Sequence, residues 1–200
     1  MHPANAFRIE AVEPLMEHLR RHPLVTLAAA PEGRVLMAQA PVLFRNLDGC
    51  PVLDFHLSSA NVLAQHLAVG FHAVAVSLGA EAYVSPDWYV SEDQVPTWNY
   101  MSVEAEGPVA GLDHADLVAL LDDLSAQEEA KLAPKRPWTR QKMSAGRFES
   151  MTRGIVGARL SVTRLEGTWK LSQNKADVDQ EGVVLALGQH PLAGAMRALK

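Results

Sequence analysis

Residues 24–57, LVTLAAAPEGRVLMAQAPVLFRNLDGCPVLDFHL, hold three apolar runs separated by two clusters of turn-forming residues. The runs are 24–30, 35–44 and 52–57, and the breaks are Pro31-Glu32-Gly33 and Asn46-Leu47-Asp48-Gly49. Each run has the length of a strand and each break suits a tight reversal, so the stretch reads as an antiparallel meander. Shorter runs at 73–78, 82–84 and 98–109 extend it. A last pair, 155–165 and 168–171, flanks Glu166-Gly167, which reads as a hairpin tip.

Helical spacing appears only around this β framework. Val12, Leu15, Met16 and Leu19 predict an opening helix, with Pro14 tolerated in its first turn and Pro23 ending the pattern. Residues 61–69 place Val62, Leu63, His66 and Leu67 on one face of a short helix. Asp113 is positioned to cap a second amphipathic helix carrying Leu117, Leu120, Leu121 and Leu124, with Pro134 as its stop. The fold class is therefore mainly β with peripheral α. We expect one domain over 1–200, with a helical segment at about 113–150 and a tail at about 173–200 whose one clear apolar run is 183–187.

Composition narrows the function. Apolar residues at 48% against 20% charged exclude a disordered chain. Eighteen Lys and Arg against 23 Asp and Glu give a net charge of −5, which is not the basic balance of a protein living on DNA. Cys50 is the single cysteine, so neither an internal disulfide nor a two-thiolate metal site can form, and a reducing compartment fits. The first residues lack a basic region followed by an apolar one, and no apolar run approaches the roughly 18 residues of a membrane span. A soluble, cytoplasmic protein is the expectation.

Sequences for a Walker loop, GxGxxG, GxSxG and HExxH are all missing. His18 and His22 have i, i+4 spacing but no third ligand nearby, so no metal is assigned, and Cys50 has no recognisable base. One region is electrostatically distinct: 131–159 carries eight basic residues and the lone acid Glu149. It reads either as a solvated face paired with the acidic remainder or as an anion-docking surface for a phosphate or nucleic acid.

Three segments are dense in aromatic, amide and hydroxyl groups: AYVSPDWY at 82–89, VPTWNY at 95–100 and KLSQN at 170–174. Such groups suit a planar heteroaromatic ligand, with flat faces for stacking and polar side chains for its edge. They equally suit core aromatics entering strands, with Asn99 and Asn174 satisfying turns.

In this order, the three segments closely resemble those of the PaiB family, FMN-binding negative transcriptional regulators with a flavin-reductase-like split barrel. The resemblance runs from Phe7 to Val183. It implies an FMN-binding split β-barrel, FMN as cofactor, and a homodimer with two flavin sites at the subunit interface. Gln39, Ala40 and Pro41 resemble the end of the strand whose backbone faces the isoalloxazine. His56, Ser58, Ser59 and Asn61, in HLSSAN, resemble the family's HLARxN stretch, whose backbone N–H groups would favour the flavin phosphate. Gln39-Ala40 stand where the family usually has Thr-His, and Ser59 stands where it usually has Arg. Loss of that guanidinium removes a charge-assisted phosphate partner of about 1.5–3 kcal/mol.

By the same resemblance, Trp98 would cover a ring face or close the pocket rim, while Asn99, Lys170 and Gln173 would contact the ring edge or a substrate. The implied function is a transcriptional regulator or a flavin-dependent redox protein, with FMN-dependent oxidoreductase activity as the enzymatic form. The alternatives are a haem-binding member using His56, His66 or His72, a cofactor-free member, and a repressor that binds DNA directly through 131–159.

Overall fold

The computed structural model describes residues 2–199. In chain order the elements are β1 (Arg8–Ile9), α1 (Val12–Arg21), β2 (Leu24–Ala29), β3 (Leu36–Leu47), β4 (Cys50–Ser58), β5 (Phe71–Val84), β6 (Thr97–Gly111), α2 (His114–Ala130), α3 (Arg147–Thr152), β7 (Ile155–Ser161), β8 (Arg164–Lys170), α4 (Asp177–Leu187) and α5 (Pro191–Ala198). Single 3-10 turns lie at Asn5–Phe7, Val62–His66, Pro86–Trp88 and Arg140–Lys142. The chain forms two compact units, one of 19–76 and 105–164, the other of the remaining described residues.

The first unit is a barrel. Its strands follow the order β6-β5-β2-β3-β4-β7, and pairing of β7 with β6 closes the ring. Alternation along each strand decides what enters the core. Val25, Leu27 and Ala29 lie opposite Ala40, Ala38 and Leu36; Val42 lies opposite Phe55, and Phe55 opposite Ala158. Val25, Leu27, Ala38, Ala40, Val42, Phe55 and Ala158 are all buried, and small alanines facing larger side chains fill the narrow interior. At the closure, a Cβ on Gly107 would come within 1.8 Å of the Ser161 carbonyl oxygen, so the position admits only glycine.

The barrel is split at Pro41. β3 pairs with β2 as far as Leu24↔Pro41 but with β4 only from Val42↔Phe55 onward. β4 itself continues to Ser58, opposite Ile155 of β7. Proline has no N–H to give a second neighbour, so the strands part where the sequence places it.

On the outer face, α2 covers β3, β4 and β7. Its Leu117, Leu120 and Leu124 pack with Leu43, and the Asp113 side chain caps it by accepting the Asp116 N–H at 2.8 Å. Buried Asp54 accepts from Arg45 at 3.1 Å and from Arg159 at 2.6 and 2.8 Å, and Arg45 also reaches Asp123. Lys131, Lys135 and Arg140 pair with Glu128, Glu129 and Asp122. Half of the basic side chains of 131–159 are thus engaged by acids, as the solvated reading expects.

The second unit contains β1, the 165–170 part of β8, the 77–84 part of β5 and the 97–104 part of β6, with the 12–18 part of α1, and α4 and α5. Its core is Val84, Tyr89, Leu171, Val183, Leu192 and Met196. The expected hairpin tip at Glu166-Gly167 is absent: both residues lie inside β8, whose neighbours are β1 and β6, while β7 pairs with β4 and β6. Gly167 serves close approach instead of a turn, because it lies opposite Ile9 and a Cβ there would be 2.4 Å from Leu15 Cδ2. The runs at 73–78 and 82–84 are one strand, β5, since Gly79 stays extended within it. The tail beyond 173 is two helices. Gly188, at φ 58°, ends the first, and Pro191 opens the second with the His190 side chain accepting the Leu192 N–H. Among the described residues, no helix is long and apolar enough to cross a membrane.

Candidate functional site

The sequence-predicted site residues fall into two groups, one in each unit. In the barrel unit, β3 turns Ala40 into the core and leaves Gln39 exposed on the outer face beside Thr26. Pro41 sits at the split. Across that split, Ser58 and Ser59 are exposed, and Asn61 begins the 3-10 turn by accepting the Leu63 N–H at 2.9 Å. Ser59 donates its hydroxyl to the Gly154 carbonyl at 3.1 Å, and its backbone N–H meets the same oxygen at 2.9 Å. Ser58 Oγ accepts the Ala60 N–H at 3.3 Å, which leaves its hydroxyl proton for a ligand.

A phosphorylated flavin needs hydrogen-bond donors on a surface that a flat ring can reach. The donor set here fits that group: the exposed Ser58 hydroxyl, the Asn61 amide and the exposed Gln39 side chain lie on segments that diverge at the split. The contacts are neutral, because 56–61 contains no Arg or Lys.

His56 is placed differently. It points outward opposite Gly157 and lines a cavity of about 360 Å³ under α2. Its Nδ1 is buried with no hydrogen-bond partner, and burial lowers its pKa, which favours the neutral ring. Of the other histidines weighed for haem, the His66 and His72 rings stand 3.9 and 3.8 Å from Glu32 and Glu106. Buried His18 has its Nε2 at 3.3 Å from the Ser77 carbonyl.

In the second unit, VPTWNY and KLSQN come together. Lys170 Nζ donates to Thr97 Oγ1 and, at 2.8 Å, to the Trp98 carbonyl. Burial and the nearby Lys175 charge lower its pKa. Asn99, 1% exposed, donates to Ser172 Oγ at 2.8 Å. Gln173 folds back, accepting the Leu171 N–H at 2.7 Å and donating to the Trp169 carbonyl. Three of the four predicted contacts therefore hold their own unit together. Trp98 differs: it is 50% exposed, its Nε1 donates to Glu81, and its ring meets Tyr83 edge-on at 5.9 Å.

Sequence reasoning missed the cavity beside His56. Its signal was present in 137–151, where Trp138, Met143, Phe148 and Met151 interrupt a basic stretch at intervals too irregular for a helix face.

The comparisons with known proteins agree with this architecture. The chain is 25% identical over 178 residues to the protease synthase and sporulation protein PAI 2 of Bacillus subtilis, covering 89% of this chain and 84% of that one. Among solved structures it is similar to an FAD and heme binding protein from Mycobacterium smegmatis, with a TM-score of 0.60 and 18% identity over 90% of this chain and 80% of that one. It is also similar to a flavocytochrome from Azotobacter vinelandii, with a TM-score of 0.56 and 16% identity over 90% and 77% of the two chains. These structural likenesses establish the split-barrel fold, and the Bacillus relative supports the PaiB resemblance. A family model described as "Putative FMN-binding domain" matches residues 1–164, so the chain belongs to that FMN-binding family and FMN is its cofactor.

Proposed function

We propose that two copies of the chain pair through the outer face of β2, β3 and the 73–76 part of β5, and that each holds FMN on segments 39–41 and 58–61, as a PaiB-type regulator whose flavin is its redox-responsive group. The observation that carries this reading is the character of that face. Leu24 and Met37 are each 64% exposed, Ala28 lies between Met37 and Val74, and Thr26 lies between Gln39 and Val76. Exposed apolar side chains on a strand face, here interrupted by Thr26 and Gln39, mark an interaction site. Gln39 shares the face with Met37, so the flavin segment borders the proposed seam.

When bound, FMN supplies hydride or single-electron transfer. The chain's own residues bind and orient. Ser58 and Asn61 offer N–H and O–H donors to the phosphate, and Gln39 offers its amide to the ring edge. The ion pairs along 131–159 favour regulation through a protein partner or the redox state over direct DNA contact by that segment.

Sedimentation velocity combined with FMN titration tests the reading. The unsubstituted chain is expected to sediment as a dimer, and Met37→Glu as a monomer with at least tenfold weaker FMN binding. A monomeric unsubstituted chain that binds FMN at full strength overturns it.

A further inference from the structure

We infer that the cavity on the outer face of the barrel, walled by α2 and by 137–152 with β4 and β7 as its floor, is a binding pocket for a small aromatic carboxylate, separate from the flavin segments. The inference does not depend on the flavin reading.

Size sets the first limit. A dry cavity of about 150 Å³ accepts benzene, and this one, at about 360 Å³, has room for two fused rings. Its lining sets the second. Leu121, Trp138, Met143, Phe148 and Met151 supply its large apolar lining, and Met151 and Trp138 remain 56% and 39% exposed. Aromatic and thioether side chains around an open space suit a flat apolar body, since methionine adapts its shape and contacts ring edges favourably.

The polar groups choose the rest of the ligand. His56 Nδ1 is sealed from solvent without a partner. An unpaired buried N–H is rarer and costlier than an unpaired lone pair, so the proton of the neutral ring belongs on Nε2. That N–H is the donor left for a ligand oxygen. Arg140 stands with its guanidinium 5.0 Å from the centre of the Phe148 ring and uses Nε for its 3.1 Å ion pair with Asp122, leaving its terminal N–H groups for an anion. Four of the eight basic residues of 131–159 are engaged by acids outside the segment, and with Glu149 as the one acid within it the segment keeps an excess of positive charge, which raises the local concentration of anions. An apolar bicyclic body with one carboxylate matches the wall and both donors, whereas the one acid of the lining, Asp122, is already held by Arg140 Nε at 3.1 Å and would have to give up that pair to bind a cation.

Calorimetric titration of 1-naphthoate into the full chain, with and without FMN, tests the assignment. Saturable binding of one molecule per chain is expected, at least tenfold tighter than 1-naphthylmethylamine and unaffected by saturating FMN. Met151→Trp, which narrows the cavity from α3, and Phe148→Ala, which removes a wall, should each weaken naphthoate at least tenfold while FMN titrates as in the unsubstituted chain. Circular dichroism establishes that each variant is folded, and should Phe148→Ala misfold, Met151→Trp carries the test alone. Absence of saturable binding, undiminished binding to the folded variants, or competition between naphthoate and FMN overturns the proposal. FMN binding without naphthoate binding defeats this pocket alone, whereas the reverse defeats the flavin reading alone.

Discussion

Ser59 shows how much one side chain can settle about cofactor affinity. It is exposed and already committed to the Gly154 carbonyl, in the position where PaiB proteins usually carry arginine. A guanidinium there adds a charge-assisted, two-pronged phosphate contact, against loss of one neutral hydrogen bond. Ser59→Arg is therefore expected to tighten FMN about tenfold, or about 1.4 kcal/mol, measured by quenching of flavin fluorescence; unchanged affinity would place the phosphate elsewhere. In the other unit, residue type alone does not separate a ligand contact from a structural one. Asn99, Lys170 and Gln173 read as ligand contacts, yet their hydrogen bonds go to Ser172, Thr97, the Trp98 carbonyl, Leu171 and Trp169. An amide beside a tryptophan has the same sequence signature whether its partner is a flavin or a strand 70 residues away.

Among the elements, those with a strong local signal were legible and those defined by close approach were not. The meander, α1 and the Asp113 cap of α2 follow from periodicity and turn chemistry. Glu166-Gly167 misleads because glycine in a turn and glycine under a leucine look identical until Leu15 is in place. The two tail helices were announced by Gly188 and Pro191, a stop and a start that a search for apolar runs passes over.

The first of those helices is moored by Asp179, which accepts the Val90 and Ser91 N–H groups at 2.8 and 2.9 Å and the Ser91 hydroxyl at 2.7 Å. The Ser91 N–H foremost, with that hydroxyl and the Val90 N–H, holds its pKa below the usual 3.8. A carboxylate depressed in the folded state contributes stability that is complete above its unfolded pKa and lost as pH falls through the folded one. Thermal unfolding is expected to show a loss below about pH 4 that is smaller in Asp179→Asn; identical acid profiles would remove Asp179 as the cause. On α2, Glu129 holds the returning chain by accepting from Lys135 and, at 2.8 Å, from the Trp138 N–H. Glu129→Ala should speed amide exchange around Trp138 without changing exchange in the barrel strands.

The whole molecule depends on a closed ring with a narrow interior. Phe55 is fully buried between Val42 and Ala158, and Phe55→Ala should lower stability by about 3–5 kcal/mol in denaturant unfolding. A loss under 1 kcal/mol would mean the interior collapses around the gap. Closure leaves Gln39, Ser58 and Ser59 exposed outside the ring, around the Pro41 split, and turns Ala40 into the core. Sequence could name that split only through family resemblance, because the parting of β3 from β4 is a property of two ladders and Pro41 marks only one end.

The most direct measurement is titration of FMN and riboflavin into purified chain, followed by flavin fluorescence. Binding on the Ser58–Asn61 side of the split predicts saturation at one FMN per chain, with riboflavin and Ser58→Ala each clearly weaker because the phosphate or its donor is gone. Failure of FMN to saturate, or equal binding of FMN and riboflavin to both proteins, contradicts the account.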